Sequence, residues 1–529
     1  MATEVRHLLA VGCALVLGCG DDIPEVAAMP GDLPSDTDGA ASTGTSGGGS
    51  DDAGSTETGD DVGGPLEVEL QPVTHESQPM VVDFRVATEA GATIVLAHAE
   101  DLGVVVAPLE APADEEDPDA QWLRAWGLRP DAAHVFTWSA EAPGFEAAQG
   151  EVEVETPAAL PGYIQTFVTG AEPDAHDGYV LFDRLDVVPQ GAAAGLFAVD
   201  PAGITRWYLG DDQAAFGPDA VFAAARLRDD GAVMFLREQV LSTVDALGEP
   251  LVEIATADLG VDGLHHDFDV LPSGNVLLLG FDFREVEYED LGTVLVAGDI
   301  VIEVTPQGDI VWEWNAFDHL DPQRRRDGFT TPLLNPTTGE LGYDWTHGNA
   351  VVYEPRTDTF LVSMRHQDWI LRVDHESGDV VWRFGEEGDF SLDVGTWPFH
   401  QHSPQWQEDG TLLLYDNGVG NPGLDDELER SRAVRYEVNF ERMAVSQAWD
   451  DTAYETFVSV IAGDADRLPN GNLLVTDSAI DFLSGSPTAR IRDVDESDPA
   501  SPRWVLTTLA PSFVYRATHW SRLPGMPAR

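Results

Sequence analysis

From residue 65 onward, apolar and polar positions alternate with a period close to two, and helical spacing is almost absent. Over 65–156 the alternation is that of short strands. Val81, Phe84 and Val86 flank polar positions, Thr93 to His98 follows, and Val135-Phe136-Thr137-Trp138 comes after a turn. Gly127-Leu128-Arg129-Pro130 ahead of that last strand has the form of a fibronectin-type corner, with His134 where a Tyr often stands. These features predict a small β-sandwich over 65–158, in which nothing looks chemical.

Beyond it, over 159–529, a four-strand unit repeats. The most legible copy has strands at Asp267–Leu271, Val276–Leu279, Asp299–Val304 and Asp309–Trp314, with Pro272-Ser273-Gly274-Asn275 as the first turn. The same turn returns as Leu468-Pro469-Asn470-Gly471-Asn472, and more loosely at Glu408-Asp409-Gly410 and Asp229-Asp230-Gly231. The closing strand returns at Asp200 to Trp207, Asp374 to Trp382, Val445 to Trp449 and Arg503-Trp504. A four-strand repeat of this length predicts a β-propeller, and six blades can be counted. The fold class expected is therefore all-β: a six-bladed β-propeller preceded by a small β-sandwich.

The first 64 residues follow other rules. Arg6 and His7 precede an apolar run from Leu8 to Leu17 that ends in Val16-Leu17-Gly18-Cys19. A short apolar core behind a positive residue predicts a signal peptide over 1–18. The Cys after a small residue resembles a bacterial lipobox, which implies cleavage before Cys19 and lipidation of its thiol. Cys13 falls in the part removed, so no thiol remains for a disulfide, a metal or a nucleophile. Residues 20–64 carry no basic and no aromatic residue and predict a disordered acidic linker over 19–64, a tether to a membrane. The expected address is the bacterial cell envelope, periplasmic or at the outer-membrane surface.

Composition narrows the chemistry. The chain has 28 basic residues against 94 acidic and a formal net charge of −66. Nucleic acid is excluded as a partner, because phosphate contacts need clustered cations. All the basic residues are Arg, so a phosphate-loop Lys and a Schiff-base Lys are excluded as well.

Four of the 14 His recur at one place in the repeat, the first strand of a blade. They are His265-His266, His347 in Trp345-Thr346-His347-Gly348-Asn349, and His402 in His400-Gln401-His402. First strands line the channel of a propeller, so these imidazoles converge on one mouth. Strand alternation lets only one of His265 and His266 face it. Arg365, at the end of a second strand, brings a fixed cation to the same mouth. Two uses fit this set. Three His can hold zinc, with Asp267 and Asp344 as carboxylate partners. Alternatively one His is a nucleophile while Arg365 and the others hold a tetrahedral oxyanion.

Taken together, His-His-Asp before Leu-Pro-x-Gly-Asn, Asp-Trp-x-His-x-Asn, Ser-x-Arg-His-Gln, and Gln-His followed by Tyr415-Asp416-Asn417-Gly418 resemble the bacterial arylsulfotransferase (aryl-sulfate sulfotransferase) family, in a lipoprotein form. The resemblance implies nucleotide-independent transfer of a sulfuryl group from an aryl sulfate to a phenolic acceptor, with no metal and no cofactor. It implies His402 as the nucleophile that forms a sulfohistidine, Arg365 and His347 on the sulfuryl oxygens, Asn349 beside them, and His266 for proton transfer at the phenol oxygen. The chain departs from the family's better-known soluble members in having no disulfide to form, and His400 is an extra imidazole. Trp345, Trp397, Phe399 and Trp406 lie near the motifs, either as walls for an aryl group or as blade packing. Two other functions remain compatible with a propeller: an anchored module that binds a sulfated or anionic ligand without turnover, and a metal-dependent hydrolase. The expected partners are the two small molecules and a membrane reached through the lipid, with pairing of two copies left open.

Overall fold

In the computed structural model the described residues are 64–529 without 89–90, 102, 110–119, 158–165, 170–171, 173–174, 189–190, 211–221, 238, 327, 422–428, 483–486, 509–511 and 528–529. Cys19, the leader and nearly all of the linker lie outside them. Among the described residues no helix is long and apolar enough to cross a membrane.

The chain is built almost wholly of strands. Residues 65–156 form two sheets: Val68–Thr74, Val81–Thr88, Gln121–Trp126 and Val105–Pro108 in one, Thr93–His98, Ala133–Glu141 and Ala148–Glu155 in the other. Val82, Phe84, Val86, Leu96, Leu123, Phe136 and Val154 fill the space between them, the inward positions of the period-two pattern. His134 is buried, and its Nε2 lies 2.9 Å from the Arg129 carbonyl, the tie that a corner Tyr makes with its hydroxyl.

Among the described residues six mainly antiparallel sheets then follow, and in the second to sixth the chain enters at the inner strand and meanders outward. The innermost strands of the second to sixth sheets are Phe222–Leu227, Gly263–Val270, Gly348–Glu354, His402–Trp406 and Asp464–Arg467. Two copies of the predicted turn show why the spacing recurs. Leu271 N–H bonds Asn275 O and Gly274 N–H bonds Leu271 O, each at 2.9 Å, and the pair Leu468/Asn472 with Gly471 repeats both bonds. Gly274 and Gly471 sit at φ of 85° and 93°, where a Cβ would be strained. The third sheet departs from the expected short strands, since Val276–Tyr288 and Gly292–Val304 pair over 13 residues and project past the blade. A short pair, Pro332–Leu334 and Leu341–Asp344, lies against that projection and leads the chain into His347.

Neighbouring sheets are stitched by the Trp of the closing strand. Trp207 Nε1 donates to Ala246 O, Trp314 Nε1 to Gly378 O and Trp449 Nε1 to Glu496 O, each at 3.0 Å, and Trp504 Nε1 donates to Pro201 O at 2.8 Å. In every case the acceptor lies in the next sheet around. Each such bond is worth about 1 kcal/mol beyond the indole burial. The ring closes at both ends. Thr166–Thr169 adds an outer strand to Trp504–Thr508 of the last sheet, while Ser512–Phe513 and Ala517–Trp520 pair with Tyr179–Val188 of the first.

The sandwich is fixed to the first propeller sheet. Val81 and Trp126 share a core with Leu181, Leu196, Trp207 and Leu209. Arg206, 3% exposed, donates to Asp101 at 2.9 and 3.2 Å, to Asp200 at 2.8 Å and to Gly127 O at 2.7 Å. Burial pushes the Asp101 carboxyl up, but Arg206 and the Gly103 N–H overcome this and hold it at about 2. Arg206→Ala leaves Asp101 and Asp200 without their shared cation and is expected to cost about 3 kcal/mol at this junction. Urea unfolding should shift accordingly, and limited proteolysis should cut first between the two domains.

Candidate active site

The four sequence-singled residues His266, His347, His402 and Arg365 do meet, at one end of the axis. His266 and His347 have ring centroids 4.9 Å apart, and the Tyr515 ring lies 5.8 Å from His266 and 6.3 Å from His402. His347, His402 and Arg365 are buried, and His266 is half-buried.

Backbone irregularity aims these rings. In each of the three sheets that supply a His, the pairing of the first two strands slips: between Leu264 and Phe268, between Gly348 and Ala350, and between His402 and Gln405. His266, His347 and Ser403 sit at left-handed φ of 58°, 48° and 48° at these slips. Such conformations cost roughly 1–2 kcal/mol for a residue with a Cβ, and they cluster where geometry serves a site. The slip also answers the His265/His266 ambiguity, because a bulge suspends alternation. His265 turns into the blade, stacked on Phe281 with centroids 3.8 Å apart and its Nε2 3.1 Å from Asp299 Oδ1. His266 turns to the axis.

Each of the three axial rings is held at Nδ1. His402 Nδ1 lies 2.6 Å from Asn417 Oδ1 and 3.1 Å from His400 O. The Asn417 amide nitrogen donates to Ser459 O at 2.8 Å and to Ala462 O at 2.9 Å, so its oxygen must face the ring. His347 Nδ1 lies 2.6 Å from Asp344 Oδ2. His266 Nδ1 lies 2.8 Å from His265 Nδ1, and the other nitrogen of His265 lies 3.1 Å from Asp299 Oδ1, at ion-pair distance. All three partners are best met as acceptors. We therefore assign the proton of each axial ring to Nδ1, which leaves three Nε2 lone pairs as the unspent atoms.

Charge follows from burial. Desolvation first, then the field of neighbouring cationic sites, pushes His266 and His402 well below the usual histidine range and His347 down to about 3. Asp344, buried and beside Asp299, is pushed up to about 6. Asp299 goes the other way: despite burial, His265, Thr346 and the Gly348 N–H hold it below its ordinary value. It ties the third sheet to the fourth just under the site.

Arg365 begins a single 3-10 turn, Arg365–Gln367, at the end of the strand Thr359–Met364. One of its terminal nitrogens donates to Val460 O at 3.2 Å. Among the described residues no carboxylate lies within 4.0 Å of its guanidinium, whereas buried Arg206, Arg432, Arg492 and Arg516 each sit on one. A buried cation without a counter-carboxylate is a place for an anion.

Asn349 spends one amide hydrogen on Gln401 O at 2.8 Å, which straps the His347 strand to the His402 segment, and keeps a second. His400 is drawn off the axis, its backbone N–H on Asp368 Oδ1 at 2.9 Å and its ring against Phe399. None of the four nearby aromatic residues contacts the axial rings. Trp345 is in the core with its indole on Arg324 O, Trp397 and Trp406 pack against Phe384 and Trp382, and Phe399 lies under Arg326. The aromatic side chain that does reach the site is Tyr515, donating its hydroxyl to Asn349 O at 2.9 Å. Burial raises its phenol well above the ordinary range, so it stays protonated. It lies 113 positions from His402, in the closing segment, with no motif around it to announce it.

A cation has one candidate location among the described residues, the buried group Asp344, His347 and His366. Its His347–Asp344 separation of 2.6 Å is that of a hydrogen bond, and a cation would have to displace that proton. The three axial Nε2 atoms form no such close group.

The arylsulfate sulfotransferase AssT of Escherichia coli is 24% identical over 357 residues, and that of Lelliottia amnigena is 24% identical over 354. Each match covers 53% of this chain and 57% of the relative, so the chain spans little more than half the length of these proteins. A solved structure it overlays, Kuenenia stuttgartiensis hydrazine synthase, has 11% identity and a TM-score of 0.30 over 64% of this chain and 80% of that one. The model of the family described as Arylsulfotransferase (ASST) matches residues 168–516, more than half of the chain, from the outer strand that closes the ring to the Arg beside Tyr515. His266, His347, Arg365, His402 and Tyr515 all lie inside that stretch, and by it the chain belongs to the arylsulfotransferase family.

Proposed function

We propose that this propeller moves a sulfuryl group from an aryl sulfate to a phenol through a sulfohistidine on His402. The observation that carries this is the buried Arg365 guanidinium, without a carboxylate within 4.0 Å among the described residues, beside three imidazoles whose Nε2 atoms are unspent. His402 is the nucleophile because its Nδ1 proton is locked onto a neutral amide. The lone pair on Nε2 is then permanent, and low basicity keeps it free of a proton near neutrality.

In the first half-reaction Nε2 of His402 attacks sulfur, the N–S bond forms, and the S–O bond to the aryl group breaks with its electron pair leaving on the phenolate. In the second, the acceptor oxygen attacks sulfur and the N–S bond breaks, returning the lone pair to His402. Arg365 and His347 hold the sulfuryl oxygens, where charge is densest as sulfur is transferred, and the spare N–H of Asn349 adds a donor. A phenol ionises near ~10, so the acceptor must lose its proton to a base. His266, partly exposed at the mouth, takes that proton on Nε2 and passes it on. Tyr515 is itself a phenol near the nucleophile, and its hydrogen bond to Asn349 O keeps it from competing as an acceptor. We further propose that Cys19 carries a lipid that holds the propeller at the cell envelope.

With p-nitrophenyl sulfate as donor, nitrophenol release should rise with added phenol and phenyl sulfate should appear. His402→Ala should lower turnover by more than about 10³-fold. Free sulfate released independently of phenol would identify a sulfatase instead, and binding of aryl sulfates without release would identify a binding module. Asn417→Ala removes the lock on the His402 tautomer while leaving the ring in place, and should lower kcat by about 10²-fold with little change in donor KM. Arg365→Lys keeps the charge but loses the planar fork, and should raise donor KM about tenfold or more.

A further inference from the structure

A sulfuryl group presents only oxygen lone pairs, so each side chain that grips it must bring a hydrogen. Arg365 brings N–H donors at any pH. The axial rings do not, since their protons sit on Nδ1 and their Nε2 atoms carry lone pairs. His402 needs its lone pair for attack. For either of the other two to grip the anion as well, it must gain a proton when the anion arrives, and what stands behind each ring decides which. Behind His266 is the ring of His265, 2.8 Å away; behind His347 is the buried carboxylate of Asp344, at 2.6 Å. A carboxylate at hydrogen-bond distance stabilises an imidazolium far more than a neutral ring does.

We propose that His347 and Asp344 form a proton-binding pair that takes one proton from solvent as the sulfuryl anion binds. The proton adds to Nε2 of His347, which donates it to a sulfuryl oxygen, while Nδ1–H stays on Asp344; no bond to sulfur changes in this step. The inference rests on the sulfuryl-transfer reading above and adds to it that anion and proton enter together.

The surroundings favour this coupling. The pair is faced by His366 and Arg365 from the 3-10 turn and by Asp299 from the strand Gly292–Val304. His265 and His266 face it from Gly263–Val270, and His400 and His402 from the segment at the start of His402–Trp406. Asp299 is already spent on Thr346, Gly348 and His265. Without an anion, desolvation and Arg365 oppose a second proton, holding His347 at about 3 while Asp344 stands at about 6. A bound monoanion offsets the Arg365 field and favours the added proton. The pair's affinity for a proton is then higher in the complex than in the free protein, so anion binding weakens as pH rises.

Benzenesulfonate tests this, because it carries the same tetrahedral group with one constant charge and a C–S bond that cannot be transferred. Titration calorimetry on the wild-type protein at pH 7, in two buffers of unequal ionisation heat, should show uptake of about one proton per anion. The Kd should rise about tenfold per pH unit above neutrality. In Asp344→Asn the uptake should vanish and the Kd should become weaker and flat with pH. Binding to the wild type with no proton uptake and a pH-independent Kd would overturn the pair. Unchanged uptake in Asp344→Asn would overturn its assignment to these two residues. No binding of benzenesulfonate at all would instead overturn the anion pocket, and with it the sulfuryl-transfer reading on which the pair depends.

Discussion

Closure of the ring is the constraint on which everything else depends. A lone twisted four-stranded sheet leaves two apolar faces in water, and each sheet here buries them only against its neighbours. The first and last sheets must therefore meet, and the chain secures this twice. The strand Thr166–Thr169 reaches across to Trp504–Thr508, and the segment from Ser512 to Trp520 reaches back to Tyr179–Val188. Bringing segments more than 300 positions apart together costs loop-closure entropy, but that cost grows only logarithmically with length. The closing bonds and the Trp504 stitch onto Pro201 O offset it.

The same closure completes the site. Between the two short closing strands the chain dips to the axis, where Tyr515 meets His266 and His402. Arg516 beside it donates to Asp267 at 2.7 Å and to Ser403 Oγ at 3.1 Å, which ties the closing segment to the third and fifth sheets just below the histidines. Stability and site geometry are thus carried by one segment. Loosening the closure is felt at His402 without any change in the residues of the motifs.

The electrostatics are local. With a net charge of −66 the surface as a whole repels an anionic ester. Screening confines that repulsion to about 8 Å at physiological salt. Inside the mouth the balance is set by the Arg365 guanidinium, with no carboxylate within 4.0 Å among the described residues, and by imidazoles kept neutral by burial.

Much of this was legible in the chain itself. The period-two pattern and the recurring Gly-Asn turns, with left-handed Gly274 and Gly471, specify hairpins, because such a turn leaves the chain few alternatives. The recurrence of Trp and of His at matching points of the repeat marked the repeating units and pointed to three of the axial residues. The pattern could not choose between His265 and His266, since the choice depends on a bulge and on Asp299 of another strand, which lies 3.1 Å from His265. Nor could it separate packing from function among the aromatic residues near the motifs, because both use the same residue types. Asp344 and Asn417 were in view in the sequence, but that they stand behind His347 and His402 showed only in the fold, and Tyr515 came to the site only with the closing segment. Sequence by itself determined the local conformations and the inventory of chemical groups, which depend on near neighbours in the chain. Tertiary structure alone decided which nitrogen of each imidazole is left unspent, because that depends on how the folded backbone turns a near neighbour, His265, Asp344 or Asn417, toward the ring and on what that neighbour itself bonds.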